Sequence, residues 1–224
     1  MVLLETQNLT KRFGGLYAVN NFTLKVKEGE LLGLIGPNGA GKSTFFNVVS
    51  GVHHPTAGKV FFKGDDITGF RPYQTVRRGI SRTFQVTTLF DSFTVMDNVM
   101  VGLQRHAGMM FWKAIFNTSS IRRRERELRK TAMEILEFTG LGKQAEKLAS
   151  ALPHGQKRAL GVAIALGSKP ELLLLDEPMT GMNAEETASM MGLIKNVREE
   201  RGITVIVIEH NMRAVMGVSD RIVV

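Results

Sequence analysis

The chain of 224 residues contains no cysteine. That excludes a disulfide scaffold and a thiolate metal site, and it fits a reducing compartment. No run of about 18 or more apolar residues occurs, so no segment is expected to span a membrane. The opening, MVLLETQNLTKRF, meets acid and polar residues early and lacks the apolar core of a signal peptide. A protein that stays in the cytosol, or faces it, is the expectation. Internal repeats and low-complexity segments are also lacking.

What is present is an apolar share of 43%, enough for one core or for one domain with a small second lobe. Lys and Arg number 29 against 21 Asp and Glu, a surplus of +8. Such a surplus points to an anionic partner, whether nucleic acid, lipid headgroup or charged ligand, without choosing among them.

Short apolar runs alternate with helical segments, the pattern of an α/β protein. FTLKV (22–26) alternates like a half-exposed strand, and GKVFFKG (58–64) reads as another strand between turn signals. LLGLI (31–35), LLLLD (172–176) and TVIVIE (204–209) are near-continuous apolar runs. Runs of that kind suit strands buried on both faces of a parallel sheet. Residues 104–140 carry no strand pattern. Leu128, Ala132, Ile135, Leu136 and Thr139 recur at helical spacing, with Gly140 as a stop. The spacing predicts a mostly helical lobe over roughly 89–157, inserted into the α/β core.

GPNGAGKST (36–44) matches G-x-x-x-x-G-K-[ST] through Gly36, Gly41, Lys42 and Ser43, with a buried strand before it and a helical run after it. Glycines let backbone N–H groups curl around phosphate oxygens, and the helix N-terminus adds partial positive charge. Lys42 can reach the outer phosphates, and the Ser43 hydroxyl can ligate Mg²⁺. Asn38, Gly39 and Thr44 complete the nucleotide-contacting stretch. G-x-G-x-x-G is absent here, which disfavours a dinucleotide site. LLLLDEP (172–178) ends a buried strand with two acids. Asp176 suits the Mg²⁺ shell, and Glu177 suits a general base on a water beside the γ-phosphate.

A cradle and an acid strand are shared by kinases, GTPases and helicases. Gln85 in TFQ (83–85), His210 in VIEHNM (207–212), and LPHGQKR about twenty residues before the acid strand narrow the choice. Together these resemble the ATP-binding cassette (ABC) ATPases over essentially the whole chain. The resemblance implies a P-loop NTPase fold with a RecA-like core, an N-terminal antiparallel β subdomain and an inserted helical subdomain. Its expected division is one ABC ATPase domain, with 1–88 and 158–224 as core and 89–157 as helical subdomain. It implies ATP and Mg²⁺ as cofactors, with Ser43, Gln85 and Asp176 around the metal. Lys42, Glu177 and His210 would carry hydrolysis, His210 by contact with the γ-phosphate. Phe13, in LTKRFGG, stands where the family stacks adenine on an aromatic.

The flanks KRFGGLYAVNN, RTFQ, TVMDNV, GMNAEE and VIEHNMRAVMGVSDRI look like the ATPases of branched-chain amino acid importers. That likeness implies amino acid import, with urea or amide import and lipopolysaccharide export as alternatives. A soluble ABC protein acting on nucleic acid is a further alternative. A single cassette without a heptad run argues against it, and nucleic acid is not an expected partner. Expected partners are two membrane-spanning permease subunits and a second ATPase subunit bound head to tail. A periplasmic or extracellular solute-binding protein takes part indirectly, and the ATPase itself sits on the inner face of the cell membrane. Asn183 stands where many family members have Asp. Relatives usually run on past the strand in which SDRIVV stops, so a longer natural chain is expected.

ALPHGQKRAL (151–160) takes the place of the family signature, which often reads Leu-Ser-Gly-Gly-Gln. Here Leu152, Pro153, His154, Gly155 and Gln156 stand instead. Pro153 has neither hydroxyl nor N–H, so the serine bond to phosphate is missing. The amides of Gly155 and Gln156 can still face a phosphate. His154 is either a positioning residue or a phosphate contact strengthened by protonation. The weaker signature favours a non-identical partner ATPase. IRRRERELRK (121–130) is a solvated helix face, a headgroup contact or a nucleic-acid patch. His53 and His54 lack nearby partner ligands for a metal.

Overall fold

The computed structural model describes residues 1–83, 89–103, 119–210 and 212–224. The chain divides into two compact units, Met1–Gln85 with Glu171–Val224, and Val86–Pro170.

The first unit contains two sheets. The antiparallel one has the order β2 (Leu16–Lys27), β1 (Val2–Phe13), β4 (Ala57–Phe62), β5 (Asp65–Asp66). Along β2, Leu24 and Val26 are buried while Lys25 and Lys27 face out, as a sheet with one wet face demands. The register of β1 on β2 shifts between Thr6 and Leu9. Asn8 takes φ of 49° there, and Asn21 takes φ of 51° at a second shift, between Leu9 and Lys11; Asn tolerates this left-handed conformation better than most residues.

The second sheet is parallel throughout: β6 (Ile80–Thr83), β7 (Leu172–Asp176), β8 (Thr204–Ile208), β3 (Leu31–Leu34), β9 (Arg221–Val223). All residues of β3, β7 and β8 are buried, which is why their sequences run apolar without alternation. The helices α6 (Ala184–Glu199) and α7 (Met212–Val218) return the chain from β7 to β8 and from β8 to β9. The helix α1 (Lys42–Val49) follows β3, and Phe45 and Phe46 enter one core cluster with Leu4 and Phe62 of the first sheet and Leu174 and Ile206 of the second. A seven-residue helix, α2 (Pro72–Arg78), precedes β6. Because the strands are parallel, β3, β7 and β8 deliver their carboxyl ends to one edge. Ile208 is in register with both Leu34 and Asp176.

The second unit is helical: α3 (Val95–Leu103), α4 (Ser119–Phe138) and α5 (His154–Gly167). Thr94 starts α3; its hydroxyl accepts the Asp97 N–H at 3.0 Å and donates to Asp97 Oδ2 at 2.6 Å. Ala132, Ile135 and Leu136 bury one face of α4, as their spacing foretells, and Gly140 at φ 75° ends the helix. A Cβ at Gly102 would lie 2.3 Å from the Ile164 carbonyl oxygen, so α3 and α5 meet backbone to backbone. The helical lobe expected to stop at residue 157 therefore runs further. That boundary falls inside α5, which is one element, and the unit extends to Pro170. On α4, Arg123 pairs with Glu127 at 3.2 Å, and most of residues 123–130 are exposed.

Candidate active site

At the carboxyl edge of the parallel sheet the chain leaves β3 into the cradle. Gly36, Gly39 and Gly41 all have positive φ, 151°, 85° and 87°. At Gly41, the residue capping α1, a Cβ would sit 1.9 Å from the Ala18 carbonyl oxygen, so this position needs both the left-handed φ and the missing side chain. No side chain caps α1. Lys42 opens the helix and turns its ammonium back, donating to the carbonyl oxygens of Gly36 at 2.7 Å and Pro37 at 2.9 Å.

A cavity of about 350 Å³ gathers these elements. Its lining includes Asn38, Gly39, Gly41, Lys42, Ser43 and Thr44 from the cradle, Phe13 from the end of β1, Glu177 from the end of β7, and His210 from the end of β8. Gly36 is not part of the wall and acts through its carbonyl on Lys42. Phe13 is 44% exposed; its ring packs edge-on against His53 at 5.3 Å, and the Lys11 ammonium lies 4.9 Å from its centroid. Leu16 and Tyr17 line the same end and carry no signal in the motifs.

The two neighbouring acids differ sharply. Asp176 is 2% exposed, and its Oδ2 accepts from Arg82 Nη2 at 2.7 Å. Its Oδ1 is buried with no hydrogen-bond partner. Arg82 also donates to Asn47 Oδ1 at 2.6 Å and packs over Phe46, so it ties the acid strand to α1. Glu177 takes φ 50°, a left-handed conformation that costs a non-glycine residue about 1–3 kcal/mol. Its Oε1 lies 2.6 Å from His210 Nε2, and its Oε2 accepts from Thr180 Oγ1 at 3.3 Å. Glu209 is 2% exposed beside this pair; burial pushes its carboxyl above the usual carboxylate range, and the Met179 and His210 N–H groups pull it back. Neither Arg82 nor Glu209 was nominated by the motifs, although both stand inside quoted stretches, RTFQ and VIEHNM.

Gln85 lies outside the described residues. His154, Gly155 and Gln156 belong to the helical unit and form the first turn of α5. Pro153 caps that helix in an extended conformation, ψ 158°, without a side-chain hydrogen bond. His154 is exposed.

A strand-to-helix cradle facing a carboxylate–histidine pair across one cavity is the equipment of a nucleotide hydrolase. The ABC transporter family profile matches residues 19–180. The chain is 42% identical over 222 residues to the high-affinity branched-chain amino acid transport ATP-binding protein BraF of Pseudomonas aeruginosa, covering 99% of this chain and 87% of that protein. It is 40% identical, with the same coverage, to LivG of Escherichia coli, which carries the same description. Among solved structures, a nucleotide-free ATP-binding cassette from an ABC transporter superposes with TM-score 0.85 at 31% identity, covering 98% of this chain and 86% of that one. A dimeric post-hydrolysis cassette bound to ADP and Pi gives 0.82 at 27%, covering 99% and 93%. By sequence and by fold, the chain belongs to the ABC transporter family, as one of its ATP-binding cassettes.

Proposed function

We propose that this chain is the ATP-hydrolysing subunit of a membrane importer for branched-chain or related amino acids. The observation that carries the reading is the single cavity in which the phosphate cradle, Phe13, Glu177 and His210 converge. In it, adenine stacks on Phe13, which needs only a π-face. The phosphates lie against the amides of Gly39, Gly41 and Ser43, and Lys42 exchanges its two carbonyl partners for phosphate oxygens. Charge-assisted bonds of that kind contribute about 1.5–3 kcal/mol each.

Glu177 polarises the attacking water. In the resting site its carboxylate is held by His210. The γ-phosphate draws the imidazole to itself, and the Glu177 carboxylate turns to the water. Ser43 and Asp176, with Gln85, would hold Mg²⁺. The unpartnered, buried Asp176 Oδ1 fits that use, since a buried carboxylate oxygen without a donor is costly. The ion would supply charge neutralisation at the phosphates.

Two ATPase subunits close around ATP, each cradle facing the α5 start of the other, and permease subunits follow that closure. Population arithmetic allows it: moving an assembly from mostly open to mostly closed takes about 5.5 kcal/mol of differential affinity. A few phosphate bonds from each face supply it. The altered signature at Pro153 and His154 favours a non-identical partner. The chain works on the inner face of the cell membrane. No helix among the described residues is long and apolar enough to cross a membrane.

The test is reconstitution in vesicles with the co-purifying membrane subunits, scoring ATP hydrolysis against a panel of solutes. Stimulation by branched-chain amino acids with their binding protein is the expected result. Stimulation by urea, by a lipid-linked saccharide or by nucleic acid instead would replace the amino acid assignment.

A further inference from the structure

Beyond β7 and β8 the sheet ladder runs out. The Glu177 N–H still donates to the Ile208 carbonyl at 2.9 Å, but the next residue is Pro178, which has no N–H. The first donor left to anchor the chain after Glu177 is therefore Met179. It finds the Glu209 side chain: Met179 N donates to Oε1 at 2.6 Å, and His210 N donates to Oε2 at 3.2 Å.

One carboxylate thus bridges the two segments that carry the reacting side chains. The geometry points to Glu209 as a positioning residue for hydrolysis, clamping the chain after Glu177 to the backbone of His210 and so holding their side chains 2.6 Å apart. This inference rests on the roles proposed above for Glu177 and His210.

Three observations converge on it. A left-handed Glu177 persists only where its surroundings over-determine it, and the clamp supplies a restraint on the side that Pro178 leaves open. Glu209 is buried, so its charge is expensive, and the two N–H bonds are what offset the cost. It does not line the cavity, so it has no direct contact with phosphate to explain its presence.

The test is Glu209→Gln in the full chain, with ATP affinity measured by equilibrium titration and hydrolysis at steady state. The amide keeps the shape but offers one acceptor, so one of the two N–H groups faces an NH₂. The expected outcome splits the constants. Kd for ATP stays within about threefold, because the cradle is untouched, while kcat falls roughly ten- to a hundredfold as the Glu177–His210 pair loosens. Glu209→Asp, which is too short to reach both donors, is expected to show the same split. A kcat within twofold of the native value overturns the proposal. So does a loss of ATP affinity in step with kcat, or loss of the fold in both variants, since either makes Glu209 a folding residue. Glu177→Gln run alongside separates this idea from its foundation. If Glu177→Gln is inactive and Glu209→Gln is not, only the clamp falls. If Glu177→Gln hydrolyses ATP at the native rate, the site reading itself falls.

Discussion

The proposed function assigns two helix N-termini to phosphate, and they are built differently. α1 is entered from a fully buried strand, through glycines with positive φ, and it opens on Lys42. α5 is entered from a short 3-10 turn, Ala149–Ala151, through an extended proline, and it opens on an exposed histidine. Neither has a side-chain cap, so both leave first-turn amides for an outside partner. The first brings its own curvature and its own cation. The second offers a helix start and little else. A cradle can recognise phosphate within one chain, whereas the α5 start gains meaning only when a ligand is already held elsewhere.

The sharpest way to break the contrast is at Gly41. In Gly41→Ala the new Cβ meets the Ala18 carbonyl, which is backbone and cannot rotate away, and the left-handed φ adds strain. ATP binding is expected to vanish in an equilibrium titration, accompanied by a lower melting temperature. Lys42→Ala comes next. It leaves the glycine curve intact and removes only the cation, so ATP affinity is expected to fall roughly a hundredfold without loss of fold. Unchanged nucleotide binding would strip Lys42 of its role.

The same contrast explains what was legible in the sequence. The cradle could be read because its parts are contiguous: strand, glycines, lysine and helix follow one another along the chain. β3, β7 and β8 could be read because double-sided burial demands uninterrupted apolar runs. β1 gives a weaker signal, since its register shifts interrupt the alternation that marks a half-buried strand. Arg82 and Glu209 are a different matter. Arg82 meets Asp176 across 94 positions, and Glu209 meets Met179 across 30. No local spacing encodes either contact, because parallel neighbours are joined only through crossovers. The end of the helical unit is a related case. The expected boundary at residue 157 falls inside α5, which the close approach of Gly102 to Ile164 packs against α3.

Pro153→Ser asks whether the weaker terminus can be made more like the stronger one. A serine at this position supplies a cap for the helix, worth about 1 kcal/mol. It also supplies a hydroxyl for phosphate. If α5 faces a nucleotide held by a second subunit, KM for ATP is expected to fall roughly tenfold as the missing charge-assisted bond is restored. A higher melting temperature with an unchanged KM would show that the α5 start is only a helix end.

The smallest effect is expected at His154. An imidazolium in the first turn of a helix faces the partial positive charge of the exposed amides. A phosphate close to the ring would favour the charged form. His154 is exposed at the first position of α5, with no cap to hold it toward the amides. His154→Tyr is expected to leave the pH profile of ATP hydrolysis unchanged within about twofold, since an exposed ring that only positions the helix start can be replaced by another ring. Loss of an acid-side gain in that variant would mean that the imidazolium does meet a phosphate. The α5 start would then own a cation after all, switched on by protons rather than fixed as in Lys42, and the two helix termini would differ in control rather than in kind.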